Sequence, residues 1–597
     1  MKRIVWRCLL AWLGLAVLLL AACALRLYRL DAVDLSGDEA FAAVYWTLPP
    51  FSAEWLNVVR TEPGPGVMAL YWGWTRLAGD SAFALRMLPL LANVLGLALI
   101  VTLARRLSRD WRTAALAGFL WALHPFLLWH AQDARQYSLV AFLSALNFYL
   151  LLRAYHRPTR QAWLIYGAAQ TLTLYIYYLD ALWLAAQAAY LFLTPSASGE
   201  SRRARKNALL TWALLGVALL PLAAQTFTVL FVSGYRATAR SADFGGLLTQ
   251  ILPALFIGAR EWPLWAGAGL ALALAGLLWW TLRSTPENGR LLLIWLGAPL
   301  LLFFVLSTQA SLFRARYLIG LVPPLLLLLA LTAQAQRRWL AAALVTTFTL
   351  AAGAGLYAYF FVDAPKGADW RGLTAYLQAR AGAHDTVIFA YSDPAINYYY
   401  HGSVTFIPAG TPDIPALMDD LLAAYDSIFL LAGETTGAAQ AYLQANAQTI
   451  PGITRHGVTQ YRAWQVRPRE IQVPLEVDFG GVARLRGYTL QAGVGGGATL
   501  LLYWEALAQT ADEHSVLLHL QPAADELVVR DHGVANAQIS TRAWQTGVVY
   551  RDAIALDVPA GDYALYVGMY GGEAGTLLGP GRLPLGDFVL NSGQEDG

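Results

Sequence analysis

The chain is punctuated by apolar runs long enough to cross a bilayer, and every second gap between them is basic. A hydrocarbon core takes roughly 20 apolar residues per helix. On that measure spans are expected near 5–25, 83–104, 113–130, 138–153, 162–178, 181–195, 208–231, 262–282, 291–308, 317–335 and 339–361, eleven in all. Such a chain folds as a polytopic α-helical membrane domain, because a helix satisfies its own backbone hydrogen bonds inside lipid. Composition agrees. Of 597 residues, 57% are hydrophobic and 14% charged, whereas a soluble domain carries about a quarter charged residues. Disordered and collagen-like classes are excluded by the same figures.

Orientation follows from the basic loops. Lys2, Arg3 and Arg7 precede the first span; Arg105, Arg106, Arg109 and Arg112 follow the second; Arg153, Arg157 and Arg160 follow the fourth. Arg202, Arg203, Arg205 and Lys206 follow the sixth, Arg283 and Arg290 the eighth, and Arg337 and Arg338 the tenth. Positive loops stay cytoplasmic. The expectation is a multi-pass plasma-membrane protein with a cytoplasmic N-terminus and extracytoplasmic C-terminal domains. The charge balance divides at the same place: residues 1–361 hold 29 Lys+Arg and 14 Asp+Glu, residues 362–597 hold 13 and 25. The basic residues sit between apolar spans, so no nucleic-acid partner is expected. Cys8 and Cys23 both lie in the first run. Leu20-Ala-Ala-Cys23 has the form of a lipoprotein cleavage box, but a retained first helix fits better with the spans that follow.

Three parts are expected: a membrane domain over 1–361, a small α/β domain over 362–467 and a β-sandwich over 468–597. In the second, Asp369–Ala381 reads as a helix, and Thr386–Tyr391 and Ser427–Ala432 as strands. In the third, short alternating strands at 500–506, 515–521 and 563–570 are separated by Gly-rich turns. The linker falls near Arg467–Val473, around Pro468.

Chemistry concentrates in the outer loops. Leu35-Ser-Gly-Asp38-Glu39 follows the first span. A carboxylate aimed at a cavity takes a proton from an attacking hydroxyl; the plainer alternatives are solvated loop acids, or Asp38 capping an interfacial helix. The same loop holds Glu62, and its end, Val67–Ala78, reads as an aromatic interfacial helix. At the outer end of the third span stand His130, Asp133, Arg135, Tyr137 and Ser138, more than anchoring requires. Arg135 suits bidentate binding of a phosphate, and Arg314 and Arg316 form a second cationic clamp on that side. The alternative for the clamp is lipid-headgroup contact. Arg236, Arg240 and Arg260 occupy a further outer loop, and Asp180 stands between two half-length spans as a helix cap or a cavity residue.

The outside Asp38-Glu39 pair, Glu62-Pro-Gly-Pro-Gly66, the aromatic helix and Ala134-Arg-Gln-Tyr-Ser138 come in an order that resembles the GT-C membrane glycosyltransferases. More closely, residues 1–361 resemble the family-39-like group of protein mannosyltransferases, aminoarabinose transferases and Rgt-type galacturonosyltransferases. The resemblance implies a hexosyl- or pentosyltransferase of the cell envelope. It would use a polyprenyl-phosphate-linked sugar and an acceptor hydroxyl of a glycan, lipid or protein, transferring with inversion on the outer face. It implies Asp38 as general base with Glu39 assisting or orienting it. Arg135, Arg314, Arg316 and Tyr137 fall to the donor phosphate, and Glu62, His130 and Asp133 to the acceptor or sugar side. No metal and no other cofactor is expected, because arginines can neutralise a monophosphate leaving group. Departures are Pro63-Gly-Pro65 where the family often has Pro-Pro, and Arg135-Gln136-Tyr137 where it often has Arg-Pro-Tyr. Tyr177 and Tyr178 stand where it often has a His. The sandwich resembles β-domains attached to such enzymes, with Tyr503, Trp504 and Trp544 as candidates for stacking on sugars. For Tyr503 and Trp504 the plain alternative is core packing. The competing function is a transporter or flippase for lipid-linked saccharides, but transporters place ionisable groups near mid-membrane, and here they collect at the outer ends.

Overall fold

The computed structural model describes residues 2–62, 64–194, 199–232, 239–258, 261–336, 338–362, 368–390, 393–410, 413–433, 435–451, 457–492, 498–523, 526–571 and 575–590. Pro63, Arg236, Arg260, Arg337 and Tyr391, singled out above, lie outside the described residues. The chain forms two units, Met1–Ala368 and Asp369–Gly597.

The first unit is helical. In order come α1 (Lys2–Leu27), α2 (Gly37–Phe41), α3 (Ala53–Val59), α4 (Pro65–Ala78), α5 (Ala82–Ser108), α6 (Trp111–Leu123), α7 (Pro125–Ala131), α8 (Tyr137–His156), α9 (Arg160–Ile176) and α10 (Ala181–Leu193). Further helices of ten or more residues cover Gly199–Ala218, Leu264–Ser284, Pro286–Gln309, Val322–Ala335 and Arg338–Tyr357. Each of the eleven apolar segments is largely helical. Among the described residues six helices are long and apolar enough to cross a membrane, or eight if two bent pairs each make one span. Part of the difference from eleven has a physical cause. Apolar content is legible in sequence; straightness and length are not. Proline has no N–H and biases the residue before it away from helix. His124, before Pro125, is extended at φ −66° and ψ 115°, and α6 and α7 meet at 59°. A second break, near Pro221, bends Arg202–Ala218 against Leu220–Phe227 by 51°. The segment Tyr178–Leu193 is apolar but short.

Burial ranks the helices. The most apolar window of Ala315–Gln334 is 89% buried and that of α8 78%, whereas Leu264–Ser284 is 11% buried. The first two form the centre of the bundle, and the last turns its apolar surface outward, as lipid solvation permits. Close packing holds the centre: Phe148 stacks on Trp295 at 3.8 Å, and Trp121 Nε1 donates to the Asn93 carbonyl at 3.0 Å. The chain is a multi-pass membrane protein.

The second unit contains one mixed sheet and a sandwich. Strands β1 (Asp385–Phe389), β2 (Thr405–Pro408), β3 (Ser427–Leu431), β4 (Gln448–Ile450) and β5 (Val458–Arg462) lie in the order β2-β1-β3-β5-β4. β1 runs parallel to β2 and β3; β5 is antiparallel. The helix expected near 369–381 spans Trp370–Arg380, capped by the Asp369 carboxylate. The sandwich begins with β6 (Val473–Phe479), β7 (Ala483–Ala492), β8 (Ala498–Ala506), β9 (His514–Pro522), β10 (Val528–Val529) and β11 (His532–Gly533). β12 (Val549–Leu556), β13 (Gly561–Gly571), β14 (Thr576–Leu577) and β15 (Leu583–Leu590) complete it. One sheet is β12-β8-β7-β6; the other is built on β9 and β13.

Strand β8 is buried on both faces. Leu500, Leu502 and Trp504 enter the sandwich core, while Leu501 and Tyr503 pack with Ile450 of β4 and Ala553. Tyr503, Trp504 and Trp544 are all fully buried. They are core side chains: Tyr503 and Trp504 follow the plain reading of an apolar run, and Trp544 is corrected from a candidate for stacking on sugars. The Pro468 linker is likewise tied down: buried Glu470 receives the Arg551 guanidinium on both oxygens, at 2.9 and 2.6 Å, and Arg462 at 3.1 Å.

Candidate active site

The loop after α1 is shaped by one buried ion pair. Ser36 caps α2: its Oγ accepts from Glu39 N, and Glu39 Oε2 accepts from Ser36 N at 3.0 Å, a reciprocal capping box. Glu39 is fully buried. Its Oε1 accepts from Arg86 Nε at 2.8 Å and from Ala134 N at 2.9 Å, and its Oε2 from Arg86 Nη2 at 2.9 Å. The remaining Arg86 donors bind the carbonyls of Leu30, Val33 and Asp34 at 2.7–3.0 Å. Glu39 thereby joins the loop bearing Asp38 to the loop bearing Arg135. Both its oxygens are engaged.

Asp38, one residue earlier, is presented differently. Its side chain is 52% exposed, and Oδ2 accepts from Arg316 Nη1 at 2.7 Å. Arg135 Nη1 donates to the Asp38 carbonyl at 3.0 Å, and the Arg135 guanidinium lies over the Trp46 ring at 4.3 Å. Arg316 sits over Tyr137 at 5.6 Å and Tyr317 at 5.7 Å. Partial burial pushes the Asp38 carboxyl up, but Arg135 and Arg316 together pull harder, and it settles below the usual carboxylate range. Asp38 is therefore ionised at neutral pH and already holds a cation.

Glu62 has the opposite balance. Burial raises its carboxyl above the usual value, Asp38 adds to that, and Arg135 opposes it. Its position depends on glycine. Gly64 has φ 107°, and a Cβ there would stand 2.9 Å from the Ile176 carbonyl oxygen; one on Gly66 would stand 2.8 Å from the Tyr175 carbonyl carbon. These two residues let the start of α4 press on the end of α9. Gln225 Nε2 donates to the Glu62 carbonyl at 3.2 Å.

Beside this cluster lies a cavity of about 550 Å³ lined by His130, Asp133, Arg240, Arg314 and Arg316, with Phe126 and Trp129 as apolar wall. His130 Nδ1 is 3.1 Å from Asp133 Oδ2. Arg316 thus both contacts Asp38 and lines the cavity. The structure brings Asp38, Arg135, Arg316, Tyr137 and Glu62 into one neighbourhood, with His130, Asp133 and Arg314 at the adjoining cavity. Asp180 begins α10 but makes no capping bond; its carboxylate accepts from Gln170 at 2.7 Å. Among the described residues no group of three or more His, Cys, Asp or Glu is arranged to hold a metal ion.

Sequence reasoning missed the residues that build this geometry. Arg86 lies near the outer end of an apolar span, and its signal was a charge inside a hydrophobic run. Arg26, at the end of α1, is fully buried and bonds to Asn93 at 2.7 Å and to the Ala122 and Trp121 carbonyls. Gln132 donates to the Arg26 and Tyr28 carbonyls, both at 2.8 Å. Tyr177, singled out above only for standing where a His is often found, donates to the Tyr317 carbonyl at 2.9 Å, next to Arg316.

A polytopic helical unit followed by a sheet-rich unit has the GT-C fold. Residues 62–224 match the family model described as dolichyl-phosphate-mannose-protein mannosyltransferase. Among solved structures, apo ArnT from Cupriavidus metallidurans superposes with a TM-score of 0.54 at 15% identity, over 76% of this chain and 98% of that one. The same protein bound to undecaprenyl phosphate gives 0.48 at 14% identity, over 75% and 97%. No curated protein sequence matches the chain.

Proposed function

We propose that the protein transfers a sugar from a polyprenyl-phosphate donor to an acceptor hydroxyl at the outer face of the membrane, with inversion and with Asp38 as general base. The observation that carries this reading is the ionised, half-exposed carboxylate of Asp38, linked through Arg316 to a cavity lined by arginines. The match of residues 62–224 to a family described by its dolichyl-phosphate-mannose chemistry supports a lipid-phosphate donor.

In the transfer the acceptor oxygen attacks the anomeric carbon, the bond from that carbon to the phosphate oxygen breaks, and the hydroxyl proton passes to Asp38. The leaving lipid phosphate gains one negative charge. Arg135 and Arg316 neutralise it as it develops, with Arg314 as a further cation at the cavity. Tyr137 supports Arg316 through its ring face. Glu39 acts by orientation, since its oxygens hold Arg86 and two backbone N–H groups. Glu62, His130 and Asp133 are assigned to the sugar and acceptor side, on the strength of their position around Arg135 and the cavity. The basic loops support a cytoplasmic N-terminus and an extracytoplasmic C-terminal part, with an α/β domain over 362–467 and a sandwich over 468–597.

The test is transfer in proteoliposomes from a panel of synthetic polyprenyl-phosphate pentoses and hexoses, with Asp38→Asn and Arg135→Gln beside the wild type. Loss of transfer in Asp38→Asn with donor lipid still bound is the expected result. Undiminished transfer removes Asp38 from its role.

A further inference from the structure

We infer that Arg316 is a two-position residue which holds Asp38 until the donor phosphate displaces it, so that the base is released only when donor is bound. The inference rests on the donor chemistry proposed above.

The geometry places one guanidinium between two anion sites. Nη1 of Arg316 is spent on Asp38 Oδ2 at 2.7 Å, while the same side chain lines the 550 Å³ cavity together with Arg240 and Arg314. Its Nε is buried and has no hydrogen-bond partner. The rings of Tyr137 and Tyr317, at 5.6 and 5.7 Å, flank the guanidinium and give it apolar faces along which it can turn without leaving cover. The backbone under it is fixed, because Tyr177 holds the Tyr317 carbonyl and Tyr317 N bonds to the Arg314 carbonyl at 3.2 Å. The exchange asks only the side chain to move.

A carboxylate locked to a guanidinium is a poor base, since its proton affinity is lowered by its partner. The donor's phosphodiester carries one negative charge, as a carboxylate does, but takes bidentate arginine contacts well, and the monoester left after transfer carries more charge still. A polyprenyl phosphate entering the cavity therefore competes with Asp38 for Arg316. Once Arg316 has turned to the phosphate, the Asp38 carboxylate is left under the charge of Arg135 alone, which also donates to its backbone carbonyl, and its basicity rises. The exchange moves no covalent bond. It makes acceptor activation conditional on donor and leaves the cation where the leaving group will need it. Arg316 is then a positioning residue for Asp38 in the free protein and a phosphate ligand in the loaded one.

Competition has an activity-free signature. Binding of sugar-free undecaprenyl phosphate to the full-length protein in nanodiscs is titrated for the wild type, Asp38→Asn, Arg316→Gln and the double variant. Asp38→Asn frees Arg316, so affinity is expected to rise about fivefold, roughly the strength of an exposed ion pair. In the Arg316→Gln background the same substitution is expected to change affinity less than twofold, the residue of simple charge repulsion. Arg316→Lys is expected to restore part of the coupling, because a lysine still pairs but not in a fork. An equal gain from Asp38→Asn in both backgrounds, or no gain in either, overturns the exchange. Absence of any undecaprenyl-phosphate binding in the wild type refutes instead the donor class, a distinguishable result.

Discussion

Two neighbouring acids invite one paired experiment, because the structure gives them opposite signatures. Replacing Glu39 by Gln keeps its size and removes its charge. Arg86, only 2% exposed, then stays buried with neutral partners alone. Breaking a buried pair from one side costs about 3–5 kcal/mol, mostly the penalty of the stranded charge. Two backbone donors, Ala134 N and Ser36 N, also lose an ionic acceptor. Replacing Asp38 by Asn instead breaks a pair whose side chains are 52% and 26% exposed, worth no more than about 1 kcal/mol. Its effect falls on chemistry, where loss of a general base lowers the rate by about 10²–10⁴-fold. Thermal unfolding in one detergent and transfer in proteoliposomes read the two effects separately. Glu39→Gln is expected to lower the unfolding temperature by several degrees, while Asp38→Asn leaves it near wild type with transfer lost. Equal destabilisation by the two variants, or a thermally silent Glu39→Gln, would refute the division of labour.

Three further substitutions have expected outcomes. Gly64→Ala forces a side chain into a left-handed position 2.9 Å from the Ile176 carbonyl; it is expected to cost about 1–3 kcal/mol and to reduce transfer by displacing Glu62, read by unfolding and a transfer assay together. His532 contacts Asp552 Oδ2 at 2.8 Å through one ring nitrogen and the Arg530 carbonyl at 2.8 Å through the other. Burial lowers its proton affinity, but Asp552, the Arg530 carbonyl and Asp531 raise it more, so the folded value lies above the ordinary one. Its contribution is complete below about pH 6.5, the unfolded value, and is lost as pH rises through the folded value; His532→Gln is expected to flatten that part of the stability profile. Glu470→Gln strands Arg551 and Arg462 in the interior and is expected to cost about 3–5 kcal/mol, read as a lower unfolding temperature in a thermal melt.

The membrane domain was legible because transfer of apolar side chains into lipid is a local property, and runs of Leu, Ala and Val declare it wherever they later pack. The loop acids and arginines were legible for the same reason: ionisable groups avoid the hydrocarbon and gather at its edge. The strands of the second unit showed through their alternation, and β8 shows its limit. Its residues read as one apolar run, and the sequence did not say that Trp504 and Tyr503 face two different cores.

The roles of Asp38 and Glu39 were beyond a reading of neighbours. Both are acids in one five-residue helix, and what separates them is partners 47 and 278 positions away. Hydropathy and charge order, properties of each segment against its solvent, determined by sequence alone a polytopic bundle with an acidic and arginine-rich rim. Tertiary structure alone decided which carboxylate is sealed on Arg86 and which stands open beside Arg316. Hydrogen bonds and ion pairs need atoms about 3 Å apart, and only the packed bundle, with Gly64 and Gly66 allowing α4 its approach, brings distant loops that close.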